Sequence, residues 1–268
     1  MSDITTINVM KDEFGWEIPV ETVPIPSEGK IYSPDSGLHN VSSIKIKAMT
    51  AQEEDILSSR ALIQEGTVIT HLLRSCILEK NIDAENMILG DRNAIMVAVR
   101  ITGYGVEYFA DVTCPECGAK SSGHQFNLGE LEIKRLSLSP VSPGENLFEL
   151  MLPITKKTVH FSFLTGADER EISITSERRR KMMPGLKIDD VVTSRLTQSI
   201  KSVEGITDRN KINSFVKGMP ARDAKTIRKY IQENEPGIDM SSWMGCPSCS
   251  KESKVSLPLG LGFFWPDR

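Results

Sequence analysis

Apolar residues recur along this chain with two different periods, and the switches between them mark out the elements. Val68, Ile69, Leu72, Leu73, Cys76 and Ile77 follow the spacing of one buried helical face. That stripe predicts a helix and assigns Cys76 to the core, where a free thiol behaves as a small inert hydrophobe. Upstream, Ile44, Ile46 and Ala48 alternate as one face of a short strand. Thr50 and Glu53 then form a Thr-x-x-Glu capping box that opens a helix. Asp91 is the expected N-cap of a further helix through Arg100, with Gly103 and Gly105 ending it. Val106, Tyr108, Ala110 and Val112 alternate again, as a strand leading directly to Cys114. In the second half, residues 147–152 and 159–164 predict a β-hairpin, and helices are expected near 167–182, 189–201, 208–217 and 221–234, the last closed by Pro236-Gly237.

These elements predict an α+β fold: helical units with small antiparallel β elements. Three segments follow. Residues 1–43, marked by Pro24, Pro26 and Pro34 around the turn-like Ser27-Glu28-Gly29, read as an extended N-terminal arm. An arm laid on a neighbouring subunit and one packed on its own core look the same at this level. Residues 44–140 form a first strand-helix unit, 136–143 read as a Pro- and Ser-marked linker, and 141–268 hold the hairpin and a second helical unit. The two units share an order. Met49-Thr50 with Glu53-Glu54 resembles Leu164-Thr165 with Asp168-Glu169, and Ile69, Thr70, Leu73 and Ile77 line up with Val192, Thr193, Leu196 and Ile200. One 132-residue offset superposes Asp91, Ile95 and Val99 on Asp223, Ile227 and Ile231, and also Cys114, Pro115 and Cys117 on Cys246, Pro247 and Cys249. Amphipathic helices resemble one another by chance, so duplication and coincidence both stay open.

Composition narrows the class. A chain of 268 residues, 39% hydrophobic and 25% charged, is long enough to bury a core without covalent staples. Its longest apolar runs, 94–99 and 257–264, fall short of the roughly 20 residues of a membrane span. Ser2, Asp3, Ile4 and Thr5 after Met1 carry no basic and apolar leader, so export by a signal peptide is not expected. A net charge of −4 disfavours nucleic acid as the main partner, since phosphate binding needs a basic excess. Arg178, Arg179, Arg180 and Lys181 are a local exception, read as a solvated helix end or a contact for an acidic partner.

The cysteines carry the clearest chemistry. Cys114-Pro115-Glu116-Cys117-Gly118 and Cys246-Pro247-Ser248-Cys249 each place two sulfurs on one side of a tight loop. Proline fixes φ after the first ligand, and Gly118 permits the left-handed turn that such a knuckle favours. Together Cys114, Cys117, Cys246 and Cys249 supply the ligand set of a closed, tetrahedral structural zinc site, one Zn2+ per chain. Redox chemistry of the thioredoxin type wants a single Cys-x-x-Cys opening a helix, and disulfides suit exported chains. None of the four histidines, His39, His71, His124 and His160, is needed as a ligand, although His124 lies near a knuckle. There is no His-Glu-x-x-His, Gly-x-Ser-x-Gly or phosphate-cradling loop, so no catalytic residue is assigned and the chain is not expected to be an enzyme.

The tail holds Leu257-Pro258-Leu259 and Phe263-Phe264-Trp265-Pro266. An aromatic cluster there belongs either against the second knuckle or on a partner. Together with Met49-Thr50-x-x-Glu53-Glu54-x-Ile56-Leu57, Leu72-Leu73-x-x-Cys76-Ile77, Asp91 to Arg100, Tyr104-Gly105-x-Glu107-Tyr108 and the Cys-Pro-x-Cys pairs, it resembles the baseplate hub subunit family of T-even-type contractile-tailed phages. The likeness covers most of residues 44 to 268. The arm adds only Pro-Ser-x-Gly-x-x-Tyr, Pro26 to Tyr32. This resemblance implies a non-enzymatic structural or assembly role in the virion's tail baseplate, or in the host cytoplasm during assembly. It also implies other baseplate or hub proteins as partners, reached through the arm and Phe263, Phe264 and Trp265. The competing class is a cellular zinc-ribbon module that binds nucleic acid. Glu116 and Glu252 beside Lys120, Lys251 and Lys254 make the knuckle loops a poor phosphate surface.

Overall fold

The computed structural model describes residues 8–11, 15–182 and 190–265. It is an α+β fold in which one strand-helix unit occurs twice. The first unit runs β1 (Asn8–Lys11), β2 (Glu17–Pro24), β3 (Ser43–Lys47), α1 (Ala51–Ser58), α2 (Arg60–Glu65), α3 (Val68–Cys76), α4 (Leu89–Tyr104), β4 (Glu107–Thr113) and β5 (Lys120–Asn127). A short β6 (Ile133–Lys134) leads to the second: β7 (Phe148–Met151), β8 (Thr158–Phe161), α5 (Gly166–Met182), α6 (Val191–Ser199), β9 (Ile200–Val203), α7 (Arg209–Gly218), α8 (Ala221–Asn234), β10 (Gly237–Ile238), β11 (Ser241–Gly245) and β12 (Glu252–Ser256). All the paired strands are antiparallel. No helix among the described residues is long and apolar enough to cross a membrane.

Specific contacts, and not only the order of elements, recur. Thr50 donates its N–H and hydroxyl to Glu53 Oε2 at 2.8 and 2.6 Å, and Thr165 donates the same two groups to Asp168 Oδ2 at 2.8 Å each. The other oxygen of each capping acid takes a donor from the following helix, Ser75 for Glu53 and Gln198 for Asp168. Ile46 bridges Ile77 across the sheet, and Phe161 pairs with Ile200 in the matching place. The aligned segments of the sequence therefore reflect a repeated structure.

The region expected as an arm packs on the chain's own core, one of the two arrangements that the sequence leaves open. Residues 17–43 form β2, pair with β3 and wind into a turn-rich segment whose Ile25, Ile31, Tyr32 and Leu38 are buried. This stretch is the first unit's counterpart of β7 and the loop to β8, packed on its own core; residues 1–7 and 12–14 lie outside the described residues. Asp91 holds it. Ile88, not Asp91, is the N-cap of α4, and Asp91 sits one turn in with its side chain fully buried. It accepts the Ser27 N–H at 2.9 Å, the Ser27 hydroxyl at 2.6 Å and the Tyr32 hydroxyl at 2.7 Å, while Tyr32 accepts the Ile88 N–H. Asp223, equally buried in the first turn of α8, accepts the N–H groups of Ile154 and Thr155 at 2.8 and 2.9 Å. A carboxylate here satisfies backbone donors of a turn while favouring the positive end of its own helix.

Other expectations shift at boundaries. The predicted helix 189–201 stops at Ser199, because β-branched Ile200 and Val203 bury along β8, and Asp189 is outside the described residues. Helix α4 passes Gly103 and ends at Gly105, which takes φ 83°. The stretch 136–143 is not a free linker: Leu136 donates its N–H to Pro26 O, and Leu136 and Leu138 pack on the core.

The two units share one hydrophobic core. The segment 85–90 is held between them, with Leu89 N–H bonded to Leu164 O, Gly166 N–H to Met87 O and Ala167 N–H to Glu85 O. On its other side Gly90 meets the chain reversal after α8 so closely that an added Cβ would lie 1.7 Å from Pro236 O. Gly90→Ala must therefore push two backbones apart, and about 1–3 kcal/mol or more of stability is expected to be lost. Gly245→Ala, where the Cβ would meet nothing within 4 Å and φ is ordinary, is expected to be nearly neutral. Equal urea midpoints for the two variants would contradict this account of the seam.

Candidate metal centre

Each cysteine pair sits in a loop joining two antiparallel strands, so that the ladders on either side fix the direction of the sulfurs. In the first, Cys114 N–H bonds Ala119 O and Gly118 N–H bonds Cys114 O, both at 2.9 Å. The second repeats this at the same distances, Cys246 N–H to Lys251 O and Ser250 N–H to Cys246 O. Gly118 takes φ 73° as its spacing predicts, and Ser250 takes φ 56° at the matching place without being a glycine.

The two loops come together head to tail. Cys114 Sγ lies 3.9 Å from Cys249 Sγ, and Cys117 Sγ lies 3.7 Å from Cys246 Sγ. All four sulfurs are within 4.8 Å of one another. A tetrahedron with zinc–sulfur bonds of about 2.3 Å has edges of about 3.8 Å, so the donor set has the size a tetrahedral ion requires. Exchanging the two units maps each close pair onto the other. The cluster thus lies on the approximate two-fold relation of the repeat.

The surroundings push two of the four thiols in opposite directions. N–H groups of Cys249 and Ser248 bring the Cys246 thiol down to about 6. At Cys117 the Ala119 N–H lowers the thiol, but desolvation and hydrogen bonding with Cys246, Cys249 and Cys114 outweigh it and push the thiol up to about 12. Crowded sulfurs resist carrying four negative charges unaided, and a divalent ion at their centre removes that conflict. Cys114 and Cys246 are buried, whereas Cys117 is exposed. Lys251 Nζ and Glu116 Oε2, 3.0 Å apart, add an exposed ion pair between the loops, worth about 1 kcal/mol at most.

Every predicted ligand is in this cluster, and the side chains set aside are elsewhere. Cys76 is buried, its thiol pushed up to about 12 by desolvation and then by Glu53. His39 bonds Tyr32 O, His160 meets Ser202 and Glu149, and His124 packs beside the Phe126 ring.

At the aromatic terminus the structure decides between the two placements that the sequence leaves open. Phe263 and Phe264 are 1% and 0% exposed, so they are core and not a surface for partners. The Phe263 ring packs against Tyr108 at 5.0 Å, tilted by 58°, and Tyr108 donates its hydroxyl to Pro258 O at 3.0 Å. Arg100, itself 1% exposed, donates from Nε to Phe263 O, from Nη1 to Gly105 O and from Nη2 to Glu107 O, each at 3.1 Å. Its aliphatic neighbours hid it in the sequence, where it looked like the last residue of a helix. It joins the end of α4, the start of β4 and the terminus beside the cysteine ribbons.

The model of the family of T4 bacteriophage base plate proteins matches residues 20–265. The chain belongs to this family. No curated protein and no solved structure matches it. The match begins within β2, so it takes in residues 20–43 of the segment read as an arm. Membership makes the chain a structural baseplate component, with the tail baseplate of the virion as its location and other baseplate proteins as partners.

Two measurements check this site. Metal analysis of the purified base plate protein is expected to give one zinc per chain, unchanged by Cys76→Ser and lost with Cys246→Ser; less than about half an equivalent, with all five thiols reactive, would refute it. Phe264→Ala is expected to cost about 3–5 kcal/mol, and deletion of residues 262–268 to unfold the chain. A truncated protein with an unchanged thermal midpoint would return the aromatic tail to the surface.

Proposed function

We propose that this chain is a non-enzymatic structural or assembly component of the hub region of a contractile tail baseplate, held together by one structural zinc. The observation that carries this reading is the convergence of Cys114, Cys117, Cys246 and Cys249 at the junction of two like units, in a chain of the base plate family. In our reading the units divide near residue 140. Residues 44–140 contribute one knuckle and residues 141–268 the other, with 1–43 completing the first. Zinc held by both fixes the angle between them. A subunit whose surfaces are already rigid loses less freedom on joining an assembly, so more of the contact energy appears as affinity. Assembly begins in the host cytoplasm, and the neighbours are other baseplate or hub proteins.

The reading is tested in infected cells with a tagged chain. The wild-type protein is expected to co-purify with baseplate proteins, and Cys246→Ser to reduce its incorporation at least as strongly as its abundance. A folded chain that enters no baseplate intermediate, or that binds duplex DNA more tightly than about 10⁻⁶ M at physiological salt, would point instead to a nucleic-acid-binding module.

A further inference from the structure

Away from the cysteines, the seam between the two units holds a half-buried carboxylate one of whose oxygens the fold closes off without a partner. Two carboxylate oxygens among the described residues are closed to solvent without a hydrogen-bond partner, Glu85 Oε1 and Glu235 Oε1. Arg170 Nη2 approaches the first at 2.8 Å. Glu235 has no ion pair with any described residue. Its place is fixed by the backbone, because it caps α8, donating its N–H to Ile231 O at 2.8 Å. The next residue is Pro236, whose carbonyl makes the close crossing over Gly90.

The charged groups around it come from four elements and are committed elsewhere. Arg195 on α6 is paired with Glu169 on α5. Lys134 on β6 donates to Gln232 O at 2.8 Å. Asp91 on α4 is bonded to Ser27 and Tyr32. Burial pushes the Glu235 carboxyl up to about 7; Arg195 and Lys134 oppose this, and Glu169 and Asp91 add to it. A neutral carboxyl is tolerated in such a place, whereas an ionised one with no partner must draw in water or move.

We propose that Glu235 is a proton-operated latch on the seam between the two units: protonated it lets the reversal after α8 lie against Gly90, and ionised it loosens that crossing while the cysteine site stays closed. The folded chain keeps a proton that the unfolded chain gives up near the ordinary value of 4.5. Stability from this group is therefore complete below that value and is lost as pH rises through about 7.

Hydrogen–deuterium exchange of the full chain at pH 6 and pH 8, corrected for intrinsic rates, reads the seam directly. Peptides covering 85–92 and 232–239 are expected to lose about tenfold protection at the higher pH, while peptides of β4 and β5 do not. In Glu235→Gln, which keeps the shape without the charge, the seam is expected to hold equal protection at both values. The same pH-dependent loss in Glu235→Gln, or no loss in the wild type, would overturn the proposal. Should that variant fail to fold, carbon-detected titration of the wild-type Glu235 carboxyl decides. A midpoint near 7 shared by the Gly90 and Gly237 amides is expected, and a midpoint near 4.5 would refute the latch.

Discussion

Four sulfurs within 4.8 Å of one another are the constraint around which this chain is arranged. Thiolates that close repel strongly unless a cation sits among them, and the backbone of two remote loops is committed to bringing them there. Each loop is braced by the same two backbone hydrogen bonds, and each is flanked by strands whose inner faces, Tyr108, Ala110 and Val112 on one side and Val255 on the other, are buried in the common core. The α4 helix ends on this construction through Arg100, and the terminus closes over it through Phe263. The cysteine cluster thus lies where the two units meet.

The same solution to a different problem recurs away from the metal. In both units an acid one turn into the last long helix receives backbone N–H groups from the turn that follows a hairpin strand, Asp91 from Ser27 and Asp223 from Ile154 and Thr155. A buried turn would otherwise leave donors unpaired, which typically costs about 1–3 kcal/mol for each group. Repetition of a buried acid serving a turn in the same place is harder to reach by chance than similarity of amphipathic stripes. The halves then diverge where their surroundings differ: Asp91 also takes the Tyr32 hydroxyl, and the second unit inserts α7 where the first passes directly from 77 to 88.

Legibility in the sequence followed the kind of interaction. The four clustered cysteines could be named from spacing alone, because two Cys-x-x-Cys loops offer sulfurs at particular offsets, and the helical stripe at 68–77 declared its buried face. Asp91 was found but misassigned, since an acid near a helix start looks like a cap whether it bonds its own helix or a turn 64 residues away. The strand β2 went unread because Pro19, Pro24 and Pro26 dominate its local pattern while its pairing partner lies beyond a long turn. Phe263 and Phe264 were recognised as needing burial, yet only the position of Arg100 decides against what. Glu235 carried no signal at all, for its peculiarity is one buried carboxylate oxygen that finds no hydrogen-bond donor among the described residues.

The crossing of the cysteine pairs also bears on the order in which the molecule can be made. A chain leaving the ribosome at about 5–20 residues per second exposes Cys114 and Cys117 seconds before Cys246 and Cys249 exist, and Arg100 before Phe263. The first half must wait with its thiols unmatched and with only two of the three Arg100 contacts, those to Gly105 O and Glu107 O, available to it. Closing so long a loop costs only a few kcal/mol of chain entropy, about (3/2)RT ln n, so the delay is a matter of synthesis and not of search. Nascent chains can accordingly close the cysteine cluster only after Cys249 has been made, so that the helices of both units are synthesised before the link between the units exists.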